Sequence, residues 1–112
     1  MLREGVNKNR ISVSQLANLT SMNAAKIFGM YPAKGSLELN SDADITLVDL
    51  KKEQKVTTDL FGGFSDYIVY EGWKLKGWPV KTIIRGQTVS EDSQVIGKCG
   101  YGKIVSRKTN ST

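Results

Sequence analysis

The spacing of apolar side chains divides the chain into a helical first third and an extended remainder. In Ile11-Ser12-Val13-Ser14-Gln15-Leu16-Ala17-Asn18-Leu19, the apolar positions Val13, Leu16 and Ala17 recur at helical spacing, and Ser12 or Ser14 can cap the start. Thr20-Ser21-Met22-Asn23 restarts a second helix with Ser21 as N-cap, and Ala24, Ala25, Ile27 and Phe28 give it an apolar face. Gly29 suits a left-handed C-terminal position, and Pro32 prevents continuation. From Lys34 onward the period falls to two. Gly35-Ser36-Leu37-Glu38-Leu39 alternates, Asn40-Ser41-Asp42 is turn chemistry, and Ile45-Thr46-Leu47-Val48 has the β-branched character of a buried strand that Asp49 ends. Lys55-Val56-Thr57-Thr58 predicts another strand and Gly62-Gly63 a loop. Residues 73–85 predict extended structure in which Pro79 marks an edge or a bulge. Gly86 then punctuates, and Gln87-Thr88-Val89 pairs with Gln94-Val95-Ile96. The polar end, residues 106–112, predicts a loose tail.

Composition removes whole classes of chemistry. The chain has 112 residues, no histidine and one cysteine. A Ser-His-Asp triad, a Cys-His pair, an imidazole metal site, an internal disulfide and a four-thiolate zinc site are therefore excluded from this chain by itself. No apolar run approaches the roughly 20 residues of a membrane helix, and the start lacks the apolar core of a signal peptide. A cytoplasmic setting without membrane contact is the expectation, with Cys99 a lone thiol. The formal charge of +5 comes from 16 Lys+Arg dispersed among 11 Asp+Glu, with no dense basic block. That dispersion argues against nucleic acid as a partner.

Three constellations invite a functional reading. Asp42-Ala43-Asp44 offers two carboxylates to a hard cation or to acid and base roles. Nothing nearby completes such a site, so a turn in which one carboxylate accepts backbone N–H groups is the favoured reading. Gly97-Lys98-Cys99-Gly100-Tyr101-Gly102-Lys103 is rich in glycine, but no helix pattern follows it and its spacing fits no phosphate-binding fingerprint. A backbone crossing or bulge explains it better, and Cys99 lacks a base or partner thiol. Phe61, Phe64, Tyr67, Tyr70, Trp73, Trp78 and Tyr101 interleave with Lys74, Lys76 and Lys81. Such a mixture can stack single-stranded bases above a basic groove, although a small β core rimmed by lysines accounts for it more simply.

Taken in order, several blocks resemble the closing segment of the cyclic amidohydrolases, the dihydropyrimidinase/hydantoinase, allantoinase and dihydroorotase enzymes. The blocks are residues 20–32, Lys34-Gly35, Ser41-Asp42-Ala43-Asp44-Ile45-Thr46-Leu47-Val48-Asp49, Tyr70-Glu71-Gly72-Trp73, Lys76-Gly77-Trp78-Pro79-Val80, Ile84-Arg85-Gly86 and Gly100-Tyr101-Gly102-Lys103 with Arg107. The ending is most similar to the dihydropyrimidinase/hydantoinase branch. Asn40 departs from the glycine that many relatives carry there, and Asn tolerates the same left-handed turn.

The resemblance implies a mainly β fold with two short N-terminal helices, forming the C-terminal share of a composite β-sandwich without the TIM-type barrel. Residues 1–33 would be helices equivalent to the end of the barrel, 34–105 the sandwich portion and 106–112 a flexible tail. The parent reaction it implies is hydrolysis of a cyclic amide C–N bond at two divalent metals, with zinc expected, held by histidines, an aspartate and a carbamylated lysine upstream of the matched region. No catalytic, cofactor or metal residue carries over. The matched roles are architectural: Asp42 and Asp44 shape a turn with Asn40, Gly35, Gly72, Gly77 and Gly86 permit tight backbone, and Arg85 serves packing or an ion pair. The chain alone is then expected to be inactive, pairing with the missing N-terminal part of a parent enzyme or associating with itself as a homo-oligomer. A stand-alone β-rich binding module, for single-stranded nucleic acid or a protein partner, and a catalytically silent relative remain the alternatives.

Overall fold

A computed structural model describes residues 1–61 and 67–108. The expected Gly62-Gly63 loop, the aromatic ring of Phe64 and the last four residues of the expected tail lie outside the described residues.

The N-terminal third is helical, as its periodicity implies, but it is less interrupted than expected. A π-helical turn over Leu2–Val6 opens the chain. Ser12 then starts α1 (Val13–Ala17) with a capping box, its hydroxyl accepting the Gln15 N–H while the Gln15 side chain accepts the Ser12 N–H. A second π-helical turn, Asn18–Met22, leads directly into α2 (Asn23–Ile27). Ser21 is therefore not an N-cap. Ala17, Asn18, Met22 and Asn23 all keep right-handed helical dihedrals, so the helix never restarts and no new cap is required. Gly29, at φ +74°, follows the end of α2.

Four antiparallel strands follow in sheet order β1-β2-β3-β4: β1 (Ile45–Lys55), β2 (Lys74–Ile84), β3 (Gln87–Glu91) and β4 (Gln94–Val95). Two-residue turns join the last three. Arg85 and Gly86 both have positive φ, as do Asp92 and Ser93, the backbone twist that suits a tight hairpin. Pro79 lies beside a register shift between Leu47 and Val48, where Val80 is the extra residue, in keeping with the bulge expected there.

Three expectations for the extended region need correction. Asp49 does not end β1, which continues to Lys55 through an irregular stretch between Asp49 and Glu53. Within that stretch the Asp49 carboxylate accepts the Lys51 N–H at 2.9 Å, so the aspartate bends the strand locally without stopping it. Lys55 belongs to β1, and residues from Thr58 turn into a 3-10 segment (Thr58–Phe61), so no separate strand forms at 55–58. Residues 35–39 are not a strand either. Ser36 accepts the Glu38 N–H, and Leu37 and Leu39 stand 79% and 94% exposed, so alternation here finds neither a partner strand nor a core.

The buried apolar set among the described residues is small: Ala25, Val56 and Trp78. Ile45-Thr46-Leu47-Val48, read from composition as a buried strand, is open to solvent at Leu47 and Val48. A β-branched run reports the surroundings a strand is built for, and the described residues cover Leu47 and Val48 only in part. No described helix is long and apolar enough to cross a membrane.

Candidate functional site

Polar chemistry concentrates where three distant segments meet. The loop before β1 brings Asp42 and Asp44 onto the Lys34 ammonium, with Asp42 Oδ2 at 2.9 Å and Asp44 in direct contact. The other Asp44 oxygen accepts the backbone N–H of Arg85 at 2.9 Å, across 41 residues of sequence. Next to it, the Gly86 N–H donates to Ala43 O at 3.0 Å. The loop thus grips the β2–β3 turn from the backbone side. That grip helps to hold Arg85 at φ +47°, a left-handed region that L residues other than Asn and Asp seldom occupy.

The Arg85 side chain extends the junction to the C-terminal segment. Its guanidinium donates to Tyr101 O and stacks over the Tyr101 ring at 4.2 Å, while the Tyr101 hydroxyl donates back to Ile84 O at 2.9 Å. Arg85 was expected to serve packing or an ion pair. Its contacts are a cation–π stack and a carbonyl bond.

Electrostatics follow the geometry. Hydrogen bonds donated to Asp44 and then Asp42 raise the Lys34 ammonium above the ordinary lysine range. Burial opposes ionisation of Asp44, but the Lys34 bond and the Arg85 N–H outweigh it, and the carboxyl lies below its usual value. The two aspartates act as acceptors for one ammonium and one amide. Asp44 does accept a backbone N–H as the turn reading supposed, though from the hairpin turn and not from its own loop.

The remaining candidate positions fall on turns. Asn40 has φ +70°, Gly72 φ +85° and Gly86 φ +79°. Two glycines also mark close approaches. At Gly35, φ +79°, an added Cβ would stand 2.7 Å from the Ala25 Cβ and 3.0 Å from Ser21 O, so the loop lies against the helical segment where only hydrogen fits. At Gly77, φ +97°, it would stand 2.9 Å from the Leu2 Cβ, where the N-terminal turn lies on β2 and Asn7 Nδ2 donates to Lys76 O.

No group of three or more His, Cys, Asp or Glu is placed to hold a metal among the described residues. The two available carboxylates are engaged by Lys34, so these residues do not fit the divalent metals that the resemblance implies for a parent enzyme. Cys99 is exposed, with no neighbouring cysteine possible. Tyr70, Trp73 and Trp78 do not form one stacking face. Trp78 is buried and donates to Leu75 O, Tyr70 and Trp73 meet edge to face at 5.2 Å, and Arg3 covers Trp73 at 5.1 Å. A hollow between Leu60, Trp78, Pro79 and Thr82 is lined by hydroxyls and the Lys81 stem, without carboxylate or thiol.

Comparison with known proteins gives this arrangement a context. The sequence profile of the Amidohydrolase family matches residues 1–89. The chain is 39% identical over 108 residues to the L-hydantoinase of Paenarthrobacter aurescens, covering 96% of this chain and 24% of that enzyme. It is 37% identical over 107 residues to the D-hydantoinase of Geobacillus stearothermophilus, covering 96% of this chain and 23% of that enzyme. Among solved structures, dihydropyrimidinase from Brevibacillus agri NCHU1002 superposes with a TM-score of 0.92 at 35% identity, over 99% of this chain and 24% of that one. L-hydantoinase (dihydropyrimidinase) from Arthrobacter aurescens superposes with a TM-score of 0.91 at 39% identity, over 96% and 24%. The chain spans about a quarter of the length of these relatives. With its antiparallel sheet and short helical segment corresponding to part of the hydantoinase fold, and no barrel among its described residues, the chain belongs to the amidohydrolase family.

Proposed function

We propose that the chain is the C-terminal structural segment of a hydantoinase-like amidohydrolase, inactive by itself, whose role is to complete a β-sandwich with strands from elsewhere in the parent polypeptide. The observation that carries this reading is the mismatch between sheet and core. Among the described residues of the sheet and its flanks only Val56 and Trp78 are buried, while Leu47 and Val48, which as consecutive residues of β1 point to opposite faces, stand 46% and 43% exposed. Apolar surface of that kind is stabilised on either side of the strand when a further layer removes it from water, at about 25 cal/mol for each Å² covered. The free edge of β1 offers unpaired backbone to the same partner. Ring opening of a cyclic amide, the reaction of the parent, then belongs to the remainder of the polypeptide, because the candidate carboxylates here are engaged by Lys34 and Arg85.

Without that remainder, the same surface and edge favour association of the chain with itself. The test is complementation in trans. The P. aurescens L-hydantoinase lacking its matched quarter is expressed with and without this chain. Co-purification and recovered hydantoin hydrolysis are expected only with both pieces. A chain that stays a compact, non-associating monomer by light scattering and restores nothing would overturn the reading.

A further inference from the structure

The segment after β4 turns at Cys99-Gly100 and then runs, without regular secondary structure, from the β2–β3 turn to the end of α2. From Gly102 to Lys108 every residue is exposed, and Ile104 is fully so. Val105 is 42% exposed and no side chain of the stretch is buried, so burial of apolar surface does little to hold this segment down. Two polar attachments stand at its ends. The first is Tyr101, clasped by the Arg85 guanidinium at its carbonyl and ring while its hydroxyl bonds Ile84 O. The second is Lys108, whose N–H donates to Gly29 O at 2.8 Å. At that point the two backbones are so close that a Cβ on Gly29 would meet Lys108 O at 2.2 Å.

We propose that residues 101–108 form a strap, latched at Tyr101 by Arg85 and at Lys108 by Gly29, which opens and closes as one unit. The physical reason is the lack of anything between the latches. A span with no fully buried side chain of its own has little independent order, so releasing one end removes the restraint that keeps the other close to its latch, and the second attachment weakens with the first. Arg85 is the positioning residue of the device, because the hairpin turn that Asp44 fixes aims its guanidinium at the strap.

Amide hydrogen exchange on the full chain tests this, with the Lys108 amide as reporter and the Val56 amide, which donates to Trp73 O at the end of the β1–β2 ladder, as control. Arg85→Ala is expected to speed exchange at Lys108 by about tenfold, the scale of one well-placed polar contact, and to leave Val56 unchanged. Tyr101→Phe, which removes only the bond to Ile84 O, is expected to have the same pattern at about two- to fivefold. Gly29→Ala should act in the opposite direction along the strap, shifting the Tyr101 ring resonances toward their unstacked positions. If Arg85→Ala unfolds the chain generally, a selective effect of Tyr101→Phe still supports the strap. Unchanged exchange at Lys108 in both variants would overturn it, and so would equal loss at Lys108 and Val56 in both.

Discussion

The junction at Asp44 and the open surface at β1 lie a few residues apart, yet they are held by opposite means. Around Asp44, directional bonds fix three segments with little buried apolar surface: Asp44 to Lys34 and Arg85, Gly86 to Ala43, and Arg85 to Tyr101. Along β1, by contrast, Leu47 and Val48 keep nearly half of their apolar surface in water. The difference teaches that local order in this chain comes mainly from backbone geometry and polar anchors. Its hydrophobic surface is largely uncommitted.

The sharpest way to break that contrast is at Gly35. Gly35→Ala combines a left-handed φ, costing about 1–3 kcal/mol in strain, with overlap against Ala25 and Ser21 O. A large fall in the urea midpoint is expected, whereas Gly86→Ala, where nothing stands within 4 Å of an added Cβ, should lose only the strain. Equal effects at both glycines would refute the close packing of loop on helix.

Asp44→Ala comes next, at about 1–2 kcal/mol, because it strands the Arg85 N–H and one contact of Lys34. Asp42→Ala, which removes a more exposed ion pair, should cost under about 1 kcal/mol. The same carboxyl predicts a pH dependence. Asp44 is lowered in the folded chain, so its contribution is present above the unfolded aspartate value of about 3.9 and is lost as the pH falls through the folded value. Lys34 is raised, so its contribution persists below about 10.4 and fades as the pH climbs through its folded value. Urea midpoints should be flat between these limits. In Asp44→Asn the acid limb should shrink, and an unchanged limb would remove Asp44 from the account.

A comparably small effect is expected on the open surface of β1. Leu47→Thr should change the stability of the isolated chain by no more than about 1 kcal/mol, since nearly half of the side chain is already in water and a β-branched residue suits the strand. Its cost should appear instead in complementation, as weaker co-purification with the truncated hydantoinase. A large loss of stability in the isolated chain would mean that β1 is packed after all.

Much of this architecture was legible locally. The Ser12 cap, with Gln15 three residues on, is a short-range signal, and it forms as the spacing implies. The hairpins from residue 73 onward carry their turn chemistry within a few residues, and Pro79 announced its bulge. What escaped was long-range or depended on absent surroundings. Ser21 looked like a cap because its composition is that of a helix start, while the backbone simply ran on through a π-helical turn. The pairing of Asp44 with Arg85 spans 41 residues, and no local period encodes it. Leu37, Leu39, Leu47 and Val48 have the pattern of core positions and stand largely or partly in solvent, because a pattern states which face is apolar and not what covers it.

The tight turns at Arg85-Gly86 and Asp92-Ser93 carry one more consequence, which concerns chain entropy. Pairing Ile84 with Gln87 closes a loop of two residues, whereas the nearest β1–β2 pair, Lys55 with Lys74, closes a far longer one. With closure entropy growing as the logarithm of loop length, β1 must overcome about 2 kcal/mol more than β3 before its first pair is made. The strand that exposes the most apolar surface is therefore also the one most loosely tied to the rest by connectivity, and a layer that covers β1 would hold in place the part of the sheet that chain entropy holds least.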